Sequence, residues 1–209
     1  MTPDELRDLL ALERLVAIVR GPDPDRLLDC LRALAAGGLR LVEVSLTSGD
    51  AIEVIKRARD ALGDRLLLGA GTVLEGDQAV AVVEAGARYV VTPAYGPGVD
   101  VCLDRGVPVL VGAVTPTEIY TAHARGATAV KVFPASTAGG PDYIRALRDP
   151  FPDIPLVPVG GVDAAAARDH LLAGALAVGV GSPLLGDAPA GGDLAALEAR
   201  TARFREAVA

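Results

Sequence analysis

A lysine and a glutamate set inside apolar, β-branched runs are the residues of this chain best suited to chemistry. Lys131 lies in Ala129-Val130-Lys131-Val132-Phe133, and Glu43 in Leu41-Val42-Glu43-Val44-Ser45-Leu46. Side chains alternate between the two faces of a strand, so Ala129, Lys131 and Phe133 share one face, and Leu41, Glu43 and Ser45 share another. If the valines pack against helices, both charged groups point the opposite way, into an interior poor in water. Desolvation disfavours an ammonium ion, and a neutral amine is a nucleophile that can add to a carbonyl. A carboxyl group in the same interior can move protons between substrate and water. The plainer alternative for the pair is an interior salt bridge that only neutralises itself.

Two glycine-bearing turns add a second kind of chemistry. Val159-Gly160-Gly161-Val162-Asp163 and Gly179-Val180-Gly181-Ser182 each follow an apolar run and expose backbone N–H groups of the kind that bind phosphate or carboxylate. Arg20, ending the first apolar run, is a candidate anion clamp, with a solvated loop arginine as its alternative.

These side chains need a scaffold that brings distant strand ends together. Runs at Leu15-Val19, Leu39-Leu46, Arg65-Gly69, Ala87-Val91, Pro108-Val111, Thr128-Phe133, Pro155-Val159 and Ala175-Val180 read as strands. Amphipathic segments at Asp25-Ala36, Asp50-Leu62, Gln78-Ala85, Pro116-Arg125, Asp142-Arg148 and Asp163-Ala173 read as the helices between them. Glycine follows several of these helices, Thr115-Pro116-Thr117-Glu118 has the form of a capping box, and Asp163 can cap the helix after Gly160-Gly161. The pattern predicts an α/β fold, a (β/α)8 TIM barrel with a leading N-terminal helix at Asp4-Leu12 and a closing helix at Leu194-Val208. An open doubly wound sheet is the rival, but its G-x-G-x-x-G turn is missing after the first strand, and Gly69-Ala70-Gly71-Thr72-Val73-Leu74 lacks the third glycine.

Composition narrows the function classes. With 209 residues and 51% hydrophobic content the chain suits one domain, 1-209. A net charge of −7, from 27 acidic against 20 basic residues, disfavours nucleic acid and anionic lipid as partners. The N-terminus has neither the basic nor the apolar region of a signal peptide, and no apolar run is long enough to span a bilayer, so a cytoplasmic protein is expected. Cys30 and Cys102 lack metal-ligand or redox spacing and read as helix-packing residues. His123 and His170 read as helix-surface residues far apart, which argues against a histidine metal site or a Ser-His-Asp triad.

With those residues placed, nearly the whole chain resembles the 2-keto-3-deoxy-6-phosphogluconate (KDPG) and 4-hydroxy-2-oxoglutarate (KHG) aldolase family, including its 6-phosphogalactonate branch. The resemblance rests on Val42-Glu43-Val44-Ser45-Leu46, Gly69-Ala70-Gly71-Thr72-Val73, Val91-Thr92-Pro93, Val130-Lys131-Val132-Phe133-Pro134-Ala135, Gly160-Gly161-Val162 and Gly181-Ser182, in this order. It implies a Schiff-base aldolase without metal or cofactor, in which Lys131 forms the imine and Glu43 shuttles protons. The substrates it implies are a phosphorylated 2-keto acid and pyruvate. It further implies that Thr72, Pro93 and Phe133 line the site, that Gly160, Gly161, Gly181 and Ser182 hold phosphate, and that the assembly is a homotrimer. Two departures stand out: Thr47 occupies a position where some members carry arginine, shifting anion binding onto Arg20, and Val159 replaces a threonine before the paired glycines, as in the phosphogalactonate branch. A phosphosugar isomerase or epimerase using Glu43 as base, and a non-catalytic phosphate sensor, are the rival functions.

Overall fold

A computed structural model describes residues 1–209. Strands β1 (Leu15–Val19), β2 (Leu41–Ser45), β3 (Leu67–Gly71), β4 (Tyr89–Val91), β5 (Val109–Ala113), β6 (Ala129–Val132), β7 (Leu156–Pro158) and β8 (Val178–Val180) alternate with helices. These are α1 (Pro3–Glu13), α2 (Pro24–Ala36), α3 (Ala51–Leu62), α4 (Gly76–Ala85), α5 (Pro97–Asp104), α6 (Pro116–Ala124), α7 (Gly140–Arg148), α8 (Ala164–Leu172), the short α9 (Ser182–Leu185) and α10 (Leu194–Val208). All eight strands pair in parallel in the order β7-β6-β5-β4-β3-β2-β1-β8, and a parallel bridge between Val159 and Gly179 joins the two ends into a barrel.

Strand alternation sorts the apolar residues into two shells. Val42, Val44, Val130 and Val132 belong to the large outer layer between sheet and helices. Val16, Leu41, Tyr89, Leu110, Ala129, Val157 and Ala177 fill the barrel interior, joined there by Leu6 and Leu10 of α1. The leading helix is therefore a plug. It is started by a Thr2–Glu5 capping box with Pro3 at the first helical position. Both plugging leucines are completely buried, and each such burial stabilises by about 1.5–3 kcal/mol. Because α1 closes the N-terminal end, the opposite mouth, where the strands end, is left for function.

Most predicted elements agree with the structure to within a few residues, with three differences. The third strand is Leu67–Gly71 rather than Arg65–Gly69, because Gly63–Arg65 forms a 3-10 turn that finishes α3 and the strand starts after it. Helices α5 and α9 have no counterpart among the expected elements; α5 starts at Pro97 between two glycines, and α9 spans only four residues. His170, expected on a helix surface, is 1% exposed, since it lies with Ala164 and Ala167 on the inward side of α8. His123 is exposed as expected, and Cys30 and Cys102 are buried free thiols on α2 and α5. No helix is long and apolar enough to cross a membrane.

Candidate active site

Glu43 and Lys131 are the only buried Asp, Glu, Lys or Arg side chains in the chain, at 2% and 6% exposure. Each sits in the inward register of its strand, between outward valines, as alternation requires. The interior salt bridge allowed by the sequence does not form. All seven ion pairs involve other residues, so no carboxylate oxygen lies within 4.0 Å of the Lys131 nitrogen. The Lys131 ammonium position is instead 5.2 Å from the centre of the Phe133 ring, which lies on the rim of the mouth and is 40% exposed. Burial pushes the Glu43 carboxyl above the usual range, and the positive charges of Lys131 and then Arg20 pull it back. An amine unbound by any carboxylate and a carboxyl made reluctant to ionise thus share the barrel interior.

Space for Glu43 comes from the neighbouring strand. Gly71 pairs with Ser45, and a Cβ at Gly71 would overlap the Glu43 carboxylate. The next residue, Thr72, has φ 60°, a left-handed conformation uncommon for a β-branched side chain. It is held there by a 2.9 Å hydrogen bond between the Thr72 and Ser45 hydroxyls. Ser45 is a hub missed as a site residue by the sequence reading. Its hydroxyl also lies 2.9 Å from that of Thr47 and accepts from Arg20 Nε at 3.4 Å. Its inward register beside Glu43 was the signal available. Thr47 and Arg20 are exposed and Thr72 half-buried, so this network lines the mouth and reaches down to buried Ser45.

On the far side, Gly160 and Gly161 both have left-handed φ, 100° and 70°, in a turn whose N–H groups donate to no backbone carbonyl. Consecutive free N–H groups of this kind form an anion-binding concavity. The Val159–Gly179 bridge brings this turn beside Gly181 and Ser182, at the start of α9. Val159 is buried among the interior apolar residues, so it supplies no polar group to the turn. The Ser136 hydroxyl, also missed in the sequence, abuts Gly161, and Ser136 N–H donates to Gly160 O at 3.1 Å. Pro93 and Phe133 line a cavity of about 320 Å³ with Tyr95, Gly112, Thr117 and Glu118. The catalytic and binding residues expected from the sequence all lie in the strands or in the residues that directly follow them, at this one end of the barrel.

A larger groove of about 1050 Å³ lies at the other end, near Arg14 and Arg148. Those arginines are tied to carbonyls of Val208, Ala209, Phe151, Pro152 and Ile154, which is a stapling role. In barrels that face serves stability.

Comparison with known proteins agrees with this geometry. The family model described as KDPG and KHG aldolase matches residues 6–199. The chain is 39% identical to a 2-dehydro-3-deoxy-6-phosphogalactonate aldolase of Escherichia coli K12 over 172 residues, 81% of this chain and 83% of that protein. It is 40% identical to a 2-dehydro-3-deoxy-phosphogluconate aldolase of Treponema pallidum over 156 residues, 73% of each. Among solved structures it resembles the KDPG aldolase of Legionella pneumophila, captured with pyruvate as a covalent carbinolamine, with a TM-score of 0.82 and 25% identity, covering all of this chain and 97% of the other. With a family model spanning nearly its full length, the chain belongs to the KDPG and KHG aldolase family.

Proposed function

We propose that this protein is a Schiff-base aldolase that cleaves a phosphorylated 4-hydroxy-2-keto acid, in the first instance 2-keto-3-deoxy-6-phosphogluconate, into pyruvate and glyceraldehyde 3-phosphate. The carrying observation is that the only two buried charged side chains, Lys131 and Glu43, both point into the barrel, where the charge of one acts on the other, without forming an ion pair. The Lys131 amine adds to the C2 carbonyl, and Glu43 supplies the proton with which the carbinolamine oxygen leaves as water. The carboxylate left on Glu43 then takes the C4 hydroxyl proton as the C3–C4 bond breaks, and the bonding pair moves into the iminium to give an enamine. The aldehyde departs, the Glu43 proton goes to C3, and water releases pyruvate and the free amine.

The remaining residues take binding roles in this reading. The Gly160-Gly161 and Gly181-Ser182 turns hold the phosphate, Thr72, Pro93 and Phe133 surround the pyruvate part, and Arg20 with Thr47 at its side takes an anionic group. The 6-phosphogalactonate epimer is the second reading, favoured by Val159, which offers no hydroxyl near C4. The near-equal identities to the two kinds of aldolase leave the epimer to experiment. We assign the protein to the cytoplasm and to a homotrimer on the family resemblance; light scattering of the purified protein tests the latter.

Intact-mass spectrometry after incubation with pyruvate and borohydride tests the central step. A pyruvyl adduct mapped to Lys131 and missing from Lys131→Ala supports it. No adduct on the unmodified protein favours an isomerase or a sensor on the same barrel.

A further inference from the structure

Tyr89, which opens β4, is a buried group that the proposed chemistry does not use. Its side chain points into the barrel, fully buried, among Leu6, Leu10, Val91 and Leu110. In the sheet, Gly69 of β3 pairs with Glu43 on one side and with Tyr89 on the other. The ring crosses over Gly69, where a Cβ would overlap its Cζ end. Two residues further along the same inward face, Gly71 lies against the Glu43 carboxylate. The phenol and the carboxylate are therefore stacked along one glycine-bearing strand, a single strand repeat of about 6–7 Å apart. The hydroxyl end of the ring is the end directed across β3 toward the strand that carries Glu43.

That hydroxyl has no hydrogen-bond partner in the protein. An unpaired buried hydroxyl is destabilising, whereas phenylalanine would fill the same volume without that cost. Buried polar groups left in this position are ordinarily completed by an ordered water with two or more polar neighbours. The negative charge of Glu43 acts on the Tyr89 phenol, and the positive charges of Lys131 from β6 and Arg20 after β1 act on Glu43. Burial, and secondarily the Glu43 charge, keep the phenol well above its usual value, so it remains a protonated donor.

We propose that the Tyr89 hydroxyl anchors a water that donates to the Glu43 carboxylate from beneath, which makes Tyr89 a positioning residue for the proton shuttle. Removing it leaves the ionised carboxylate less well solvated, so a higher pH is needed to ionise it. The inference rests on the Lys131 imine and the Glu43 shuttle, and its test separates the two.

The test is Tyr89→Phe, assayed by exchange of the pyruvate C3 hydrogens in D2O across pH, with borohydride trapping and thermal melting run alongside. Exchange needs Glu43 as a carboxylate base, so its acidic limb should move up by about one pH unit. Trapping at Lys131 should persist, and the melting temperature should hold or rise. A profile that superimposes on that of the unmodified protein, with trapping intact, overturns the role of Tyr89. Failure of the unmodified protein to trap pyruvate overturns the imine reading instead.

Discussion

The Glu43 carboxylate occupies the place above Gly71 where any other residue would carry its Cβ. The proton shuttle is thus positioned by the absence of a side chain on the adjacent strand. Gly71→Ala should push the carboxylate aside and cost about 1–3 kcal/mol of stability through overpacking. A displacement of about 1 Å at the reacting group costs on the order of a hundredfold in rate, so kcat should fall by that order. Pyruvate trapping at Lys131 should survive. A variant with an undiminished kcat would show that Glu43 needs no such placement.

Thr72 makes a related trade. Its left-handed backbone costs about 1–3 kcal/mol, and the hydroxyl contact to Ser45 returns about 1 kcal/mol. In Thr72→Gly both contributions vanish while the freer unfolded chain costs about 0.5–1 kcal/mol, so denaturant titration should find stability unchanged to within about 1 kcal/mol. Catalytic efficiency should still drop about tenfold, because Ser45 and the mouth lose a fixed hydroxyl. A fall in stability together with activity would mean that the strained conformation serves folding rather than the site.

Arg20 shows the limit of what a surface cation contributes. Its guanidinium is exposed and reaches Ser45 at 3.4 Å, so water and salt screen its hold on an anion. Arg20→Ala should raise KM for the phosphorylated substrate by about tenfold, with less effect on kcat. The wild-type KM should itself rise with ionic strength, and the variant should respond less. A KM that ignores both changes would remove Arg20 from the site.

What the sequence made legible follows from the range of the forces involved. The inward aim of Lys131 and Glu43 depends only on strand alternation, a two-residue period with apolar neighbours on either side, and it could be read directly. The capping of α6 by Thr115 and of α8 by Asp163 was legible for the same reason, since donor and acceptor are three residues apart. Ser45 shared the legible register, but its role as a hub depends on Thr72 and Arg20, which only the closed barrel brings beside it. Tyr89 depends likewise on Gly69 across the sheet. His170 was misread because Ala164-Ala165-Ala166-Ala167 surrounds it with residues too uniform to mark which side of α8 faces inward.

His170 gives a pH dependence whose sign can be worked out. Its ring is buried, Nδ1 has no partner, and burial lowers its proton affinity against a weaker opposing pull from Asp169. In the unfolded chain it titrates near 6.5, and in the folded protein only at lower pH. Above 6.5 neither state is protonated there, and the contribution to stability is fully present. As pH falls below 6.5 the unfolded chain takes up the proton first, so stability is lost progressively down to the folded value. His170→Gln cannot take up that proton. Melting curves at about pH 7.5 and pH 5 should therefore show a smaller loss for the variant than for the unmodified protein. Carboxylates titrate in both proteins alike, so the difference between the two losses isolates His170. Equal losses would mean that the ring is already charged, or solvated, in the folded state.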